Sequence, residues 1–346
     1  MVKLILTYFG CIIMSAIFWN TILGCYMYKP SVKTPTTSTE IIHYEPFAKM
    51  VNEKEGSGNY IMDKNGFNND EIIRNNKKFV LVLGDSHTEA EQVKRDDNFC
   101  SVAENKLASA SIIYNAGVSG LSMADYIGYG QVYMDYFNPN KVIIQVTYDD
   151  FTSNATLRSK DTFIAADGQT YAIIKRVNYM QNSSFDNLKE KVRCPFVYNL
   201  YFRLSDIVSD FLHPKLRPFL PKYAVEISRN IDCSSLIDWQ VSQIKHIFGD
   251  KAAFLYLPST PMIGQQGTVE WSEYVENDTK LKIVSACNKY GVDFIDLQTS
   301  FNILFKKTQH FPRGFNNTDP SRGHLNKFGH YATGVELANY LKSKGF

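Results

Sequence analysis

The six cysteines of this 346-residue chain include no C-x-x-C pair. Cys100, Cys194, Cys233 and Cys287 are too scattered for a zinc ligand set. Excess charge of either sign is also missing. Lys plus Arg number 37 and Asp plus Glu 35, a net charge of +2, which leaves no electrostatic footprint for nucleic acid. There is no glycine-rich phosphate loop, and the histidines show no usual metal spacing, so no cofactor is expected. Internal repeats are absent too. At 44% hydrophobic, 14% aromatic and 21% charged residues, the composition is that of a globular chain, and it excludes disorder, collagen and a coiled coil.

Charge is absent altogether from one stretch. Leu4 to Tyr28 holds 25 residues and no charged side chain. As a helix it would be about 37 Å long, enough for a bilayer. This predicts a transmembrane anchor over 1–28. The sequence Thr21-Ile22-Leu23-Gly24-Cys25 leaves a lipoprotein signal as the other reading. Lys3 lies before the run and Lys29 and Lys33 after it, so orientation is weakly encoded. Pro30 to Glu40 is rich in Pro, Ser and Thr and reads as a linker. The polar stretch over 29–76 shows no strong periodicity.

From Phe79 the pattern changes. Phe79-Val80-Leu81-Val82-Leu83 is a continuous apolar run ending at Gly84, as expected of a strand buried on both faces. Four more runs follow: 112–114, 142–146, 254–257 and 292–297. Helical stretches lie between most of them, at Phe99 to Leu107, Met123 to Tyr136 and Asp278 to Tyr290. This alternation predicts an open α/β sheet. A final helix starts at a capping Asn326, with Phe328, Tyr331, Val335, Ala338 and Leu341 on one face. An insertion is expected at about 151–247. It holds a hairpin from Thr162 to Arg176 turning at Asp167-Gly168, and an amphipathic helix from Phe196 to Leu212.

Ligands of open α/β sheets sit beyond the carboxyl ends of the strands. The first strand exits into Gly84-Asp85-Ser86-His87, where a serine at a tight turn is exposed as a nucleophile. The second exits into Asn115-Ala116-Gly117-Val118-Ser119-Gly120, where glycine allows a backbone N–H to approach an oxyanion. The third exits into Thr147-Tyr148-Asp149-Asp150. Before the last helix lies Asp319-Pro320-Ser321-Arg322-Gly323-His324, which supplies a histidine able to reach the serine. His87, Glu89 and Glu91 read as a polar helix face, and His330 as a helix-packing residue.

These blocks, in this order, resemble the SGNH (GDSL-type) hydrolase superfamily, and the resemblance runs from about Phe79 to the C-terminus outside the insertion. It implies a flavodoxin-like three-layer sandwich with a five-stranded parallel sheet in the order 2-1-3-4-5, within a domain spanning 77–346. It implies Ser86 as nucleophile and, through its N–H, as oxyanion donor. Gly117 would be the second donor and His324 the general base. Two positions depart from the family pattern. Asp149 stands where the family has its oxyanion asparagine, so a protonated Asp149 or a donor such as Tyr148 would have to serve. Ser321 stands where the family has its acid, and the nearest carboxylate is Asp319.

The resulting expectation is a serine esterase acting on acyl, above all acetyl, esters of a cell-envelope glycan. It would be attached to a membrane, with the domain on the extracytoplasmic side. An O-acyltransferase and a non-catalytic glycan-binding protein are the alternatives.

Overall fold

The computed structural model describes residues 2–30, 32–33, 35, 40–72, 74–108, 110–151, 162–167, 170–175 and 233–346. Its centre is a parallel sheet of five strands: β6 (Lys78–Gly84), β7 (Ser111–Gly117), β8 (Lys141–Val146), β11 (Ala252–Tyr256) and β14 (Asp293–Asp296). The spatial order is β7-β6-β8-β11-β14, all pairs parallel. In sequence terms this is the expected 2-1-3-4-5.

The continuous apolar runs arise because both faces of the sheet are covered. Leu81 and Leu83 of β6 join one core, with α4 (Met123–Phe137), α5 (Cys233–Phe248) and α6 (Tyr274–Tyr290). Val80 and Val82 point the other way, into a core with α3 (Phe99–Lys106), α7 (Gln298–Thr308) and α8 (Lys327–Ser343). All four side chains are 0% exposed, and truncating one such leucine to alanine costs about 2–5 kcal/mol. Asn326 caps α8 by accepting from the N–H groups of Phe328 and Gly329.

After β11 comes a short antiparallel pair, β12 (Met262–Ile263) and β13 (Val269–Glu270), and then α6, which begins at Tyr274 rather than Asp278 and is longer than expected. The proposed insertion is also shorter than 151–247. Its last part, α5, is the crossover helix between β8 and β11, packed on the sheet through Ile237, Val241 and Ile244. The hairpin forms as β9 (Thr162–Asp167) and β10 (Thr170–Lys175), pairing Asp167 with Thr170. Its turn, the helix over 196–212 and Cys194 lie outside the described residues. Cys11 and Cys25 are exposed, and Cys100 and Cys287 are buried.

The region over 29–76, expected as a linker and a polar stretch, holds strands and core residues among its described positions. They carry the short strands β2 (Val32–Lys33), β3 (His43–Tyr44), β4 (Lys49–Asn52) and β5 (Gly58–Ile61). Ile41, Ile42, Tyr44, Met50 and Phe67 enter the main core. Asn69 covers the edge of β7: its side chain accepts from Asn115 N and donates to Asn115 O, both at 2.9 Å. An edge strand needs such partners for its open backbone groups. Polar composition concealed this role, because the segment packs through isolated residues and side-chain hydrogen bonds rather than through a periodic face.

The N-terminal run forms one helix, α1 (Val2–Tyr26), followed by β1 (Met27–Tyr28), which pairs with β4. Leu6, Phe9, Ile12, Met14 and Phe18 are exposed on α1. Among the described residues, no helix is long and apolar enough to cross a membrane. The expected transmembrane anchor over 1–28 is therefore not carried by the structure, and α1 stands as an exposed apolar helix.

Candidate active site

Ser86 begins α2 (Ser86–Glu89), a single turn on the exit of β6. Two glycines let this turn lie against the sheet. A Cβ on Gly84 would stand 1.9 Å from Thr88 Oγ1, and one on Gly117 would stand 2.3 Å from Glu89 N. Asp85 caps the turn by accepting from His87 N. Asn115, at the exit of β7, accepts from Gly117 N at 2.9 Å and donates to Thr88 O at 2.6 Å. Gln145 of β8 accepts from Thr88 Oγ1 at 3.0 Å. The turn that presents Ser86 is thus held by all three strand exits.

Ser86 Oγ lies 2.9 Å from His324 Nε2. On the other side of the ring, His324 Nδ1 lies 2.6 Å from Glu55 Oε2, and Glu55 Oε1 accepts from His324 N at 3.1 Å. A carboxylate on Nδ1–H leaves Nε2 as the acceptor for the serine hydroxyl. Burial pushes the Glu55 carboxyl up, but the hydrogen bond and charge of His324 outweigh it and hold the group below the ordinary carboxylate range.

Glu55 sits in the loop between β4 and β5, where Asn52 pairs with Gly58. Asn52 Oδ1 accepts from Lys54 N and Glu55 N. From the histidine's own loop, Asn317 accepts from Gly56 N and donates to Glu53 O and Gly56 O. The acid loop and the histidine loop are therefore tied together through Asn317.

Asp319, expected as the acid, is turned elsewhere. Its Oδ1 accepts from Ser321 N, Arg322 N and Ser321 Oγ, and these bonds hold its carboxyl below the ordinary range. It shapes the loop that presents His324, and Glu55 takes the position on the ring. No spacing signal points to Glu55, which precedes His324 by 269 residues.

Gly117 also differs from its expected role. It is buried at the end of β7, and its N–H is committed to Asn115. Three residues on, Gly120 has φ +84° and open space where a side chain would stand. As the first residue of α2, Ser86 has an N–H with no intrahelical partner. Asp149 is exposed in the 3-10 turn Tyr148–Phe151, and Tyr148 donates a hydrogen bond to it. Its neighbour Asp150 is buried and accepts from Thr147 N at 2.7 Å. Burial, then the nearby Asp85 carboxyl, pushes Asp150 far above the usual range.

His87 and Glu89 are not a solvated helix face: they are 8% and 1% exposed. His87 Nε2 lies 2.9 Å from the buried Arg313, whose Nη2 and Nε donate to Leu257 O and Pro258 O. Burial, then the Arg313 charge, keeps His87 neutral. His330 packs on Phe99 with ring centroids 5.9 Å apart, and burial pushes it down to about 3. Among the described residues no group of three His, Cys, Asp or Glu side chains is arranged to hold a metal ion.

The arrangement is a serine, a histidine and a carboxylate in series at the carboxyl edge of a parallel sheet. No family model matches the chain, and no curated protein matches it in sequence. Among solved structures, it is similar to a lipase/acylhydrolase from Enterococcus faecalis at 12% identity and a TM-score of 0.41, covering 77% of this chain and 96% of that one. A catalytic mutant of an acetylxylan esterase from Geobacillus stearothermophilus gives 13% and 0.40, covering 80% and 97%. An inhibitor-bound aryl esterase from M. smegmatis gives 12% and 0.39, covering 77% and 99%.

Proposed function

We propose that the chain is a serine ester hydrolase of the SGNH type, working through an acyl-enzyme. One observation carries this reading: His324 bridges Ser86 Oγ at 2.9 Å and Glu55 Oε2 at 2.6 Å. In the first half-reaction His324 Nε2 takes the Ser86 proton as Oγ bonds to the ester carbonyl carbon. The imidazolium, stabilised by Glu55, then gives that proton to the leaving alcohol as the ester C–O bond breaks. In the second, His324 deprotonates a water that attacks the acyl carbon; the bond from that carbon to Ser86 Oγ then breaks, His324 returns the proton to Oγ, and the carboxylic acid leaves.

The carbonyl oxygen carries negative charge in both tetrahedral intermediates, so it needs fixed donors. Ser86 N–H and Gly120 N–H are the proposed pair, with Gly120 replacing Gly117. Asp149 is proposed to border the same space from the exit of β8. An ionised carboxylate there accepts rather than donates, so its contribution requires the protonated form.

Membrane attachment through α1 is part of the proposal. The exposed Leu6, Phe9, Ile12, Met14 and Phe18 would be a large apolar surface in water, and the uncharged run continues to Tyr28. The proposed substrate is a small acyl ester, such as an acetyl ester, of a cell-envelope glycan within reach of that attachment. The near-zero net charge suits a neutral substrate.

A fluorophosphonate probe tests the chemistry. It should label the wild-type chain and leave Ser86→Ala unlabelled; a folded wild type that resists labelling would refute catalysis. Measuring whether acyl passes to water or to an added glycan separates hydrolysis from transfer.

A further inference from the structure

Behind the nucleophile's turn lies a charged cluster that the proposed chemistry does not use. Lys29 follows β1 and is partly buried, its side chain 18% exposed. Its Nζ donates to Glu91 Oε2 at 2.6 Å and to Ser119 Oγ at 3.0 Å, and lies 3.4 Å from Glu89 Oε1. Glu89 closes α2, three residues after Ser86. Its Oε2 accepts from Ser119 N at 2.6 Å, from Tyr44 OH at 2.8 Å, and from Ser119 Oγ. Ser119 in turn immediately precedes Gly120.

The electrostatics make Lys29 the counter-ion of this group. Burial alone would lower its basicity, but Glu89 and Glu91 outweigh burial and hold the ammonium charged. Burial, then Glu89, pushes the Glu91 carboxyl upward. Without Lys29, Glu89 would be an enclosed carboxylate with no cation. The same segment reaches the acid loop as well: Tyr26 O accepts from Glu53 N at 2.9 Å, and β1 pairs with β4.

We propose that Lys29 is a positioning residue for the Ser86 site. Its ammonium ties Glu89 and Glu91 together behind α2 and sets the Ser119–Gly120 turn. The segment after α1 is thus part of the catalytic unit and not only a tether. This inference rests on Ser86 being the nucleophile. Lys29 touches no substrate; it acts through the placement of a backbone donor, so its loss should slow the chemical step more than it weakens substrate binding.

The experiment uses the full chain, with p-nitrophenyl acetate turnover, fluorophosphonate labelling rate and melting temperature measured for each variant. Lys29→Met should lower kcat on the order of 100-fold, the scale of a displacement of about 1 Å at a reacting centre, with KM within about twofold. Lys29→Met/Glu89→Gln leaves no enclosed carboxylate at position 89. It should melt close to wild type and still turn over about tenfold slower or worse.

A merely structural role predicts instead that the double variant recovers both stability and kcat. Wild-type kcat in either folded variant overturns the proposal. Failure of both variants to fold assigns Lys29 to stability and overturns it as well. A wild type that neither labels nor turns over overturns this proposal together with the nucleophile assignment. A wild type that labels, with Lys29 variants labelling equally fast, overturns this proposal alone.

Discussion

His324 Nδ1 and Glu55 Oε2 lie 2.6 Å apart although 269 positions separate them in the chain. The carboxylate comes from a hairpin loop before the first sheet strand, and the histidine from the loop before the last helix. Neither neighbourhood announces the other. A carboxylate on Nδ1–H leaves Nε2 as an acceptor facing Ser86 Oγ, as the proposed chemistry requires.

Glu55→Gln should lower kcat by about 10³- to 10⁴-fold, because an amide can favour the wrong histidine tautomer. Asp319→Asn should leave kcat within a few-fold of wild type, since Asp319 bonds only within its own loop. Steady-state kinetics on the two purified variants decides between the acids. Equal losses would return the role to Asp319.

Asn317→Ala should act at a distance. It removes the acceptor for Gly56 N and the donor to Glu53 O and Gly56 O, so the Glu55 loop gains freedom relative to His324. A fall in kcat on the order of 10- to 100-fold is expected. KM should change little. Asn317→Asp, which keeps only the acceptor, should fall between the two.

The Glu55–His324 pair also sets a pH dependence of stability. Glu55 has its folded-state pKa depressed. Its contribution is therefore present above the unfolded carboxylate value and is lost as pH falls through the folded value. The melting-temperature gap between wild type and Glu55→Gln should be widest near neutrality and close in acid. A gap that widens on acidification would contradict the pairing.

Asp150 carries the opposite sign. Burial and Asp85 raise its folded-state pKa, so the folded chain binds more protons here than the unfolded one. Stability then declines as pH rises from the unfolded value through the folded one. Asp150→Asn keeps an oxygen for Thr147 N and removes the charge. It should raise the melting temperature at neutral pH, by about 2–4 °C per kcal/mol relieved. Scanning calorimetry should show the advantage fading in acid.

Asp149→Asn offers the developing oxyanion an amide donor in place of a carboxylate. With Asp149 bordering the acyl site, kcat should rise, by up to about 100-fold for a well-aimed donor. An unchanged kcat would place the side chain, already bonded to Tyr148, outside the reacting space.

Much of the fold was written in local pattern. Unbroken apolar runs such as 79–83 announce strands covered on both faces, and β6 indeed divides its side chains between two cores. The serine at the exit of β6 and the histidine before α8 were legible because parallel sheets collect their ligand-binding residues at strand ends. The 29–76 region was not legible. Its contribution comes from isolated residues such as Asn69 and Tyr44, whose partners Asn115 and Glu89 belong to distant elements. No short-range period records such pairs. His87 and Glu89 misled for the same reason. On a helix of four residues, polarity gives no face, and burial is set by what packs over it.

The sequence by itself determined the strand–helix alternation, the sheet's carboxyl edge as the place of a candidate site, and two members of the proposed Ser86–His324–Glu55 series. Tertiary structure decided the third member, Glu55, and the place of Lys29 behind the Ser86 turn. The division has one cause. Secondary structure follows from periods of two and 3.6 residues along the chain. An acid, an N–H group and a counter-ion acquire their roles only from what the folded chain brings within hydrogen-bond reach.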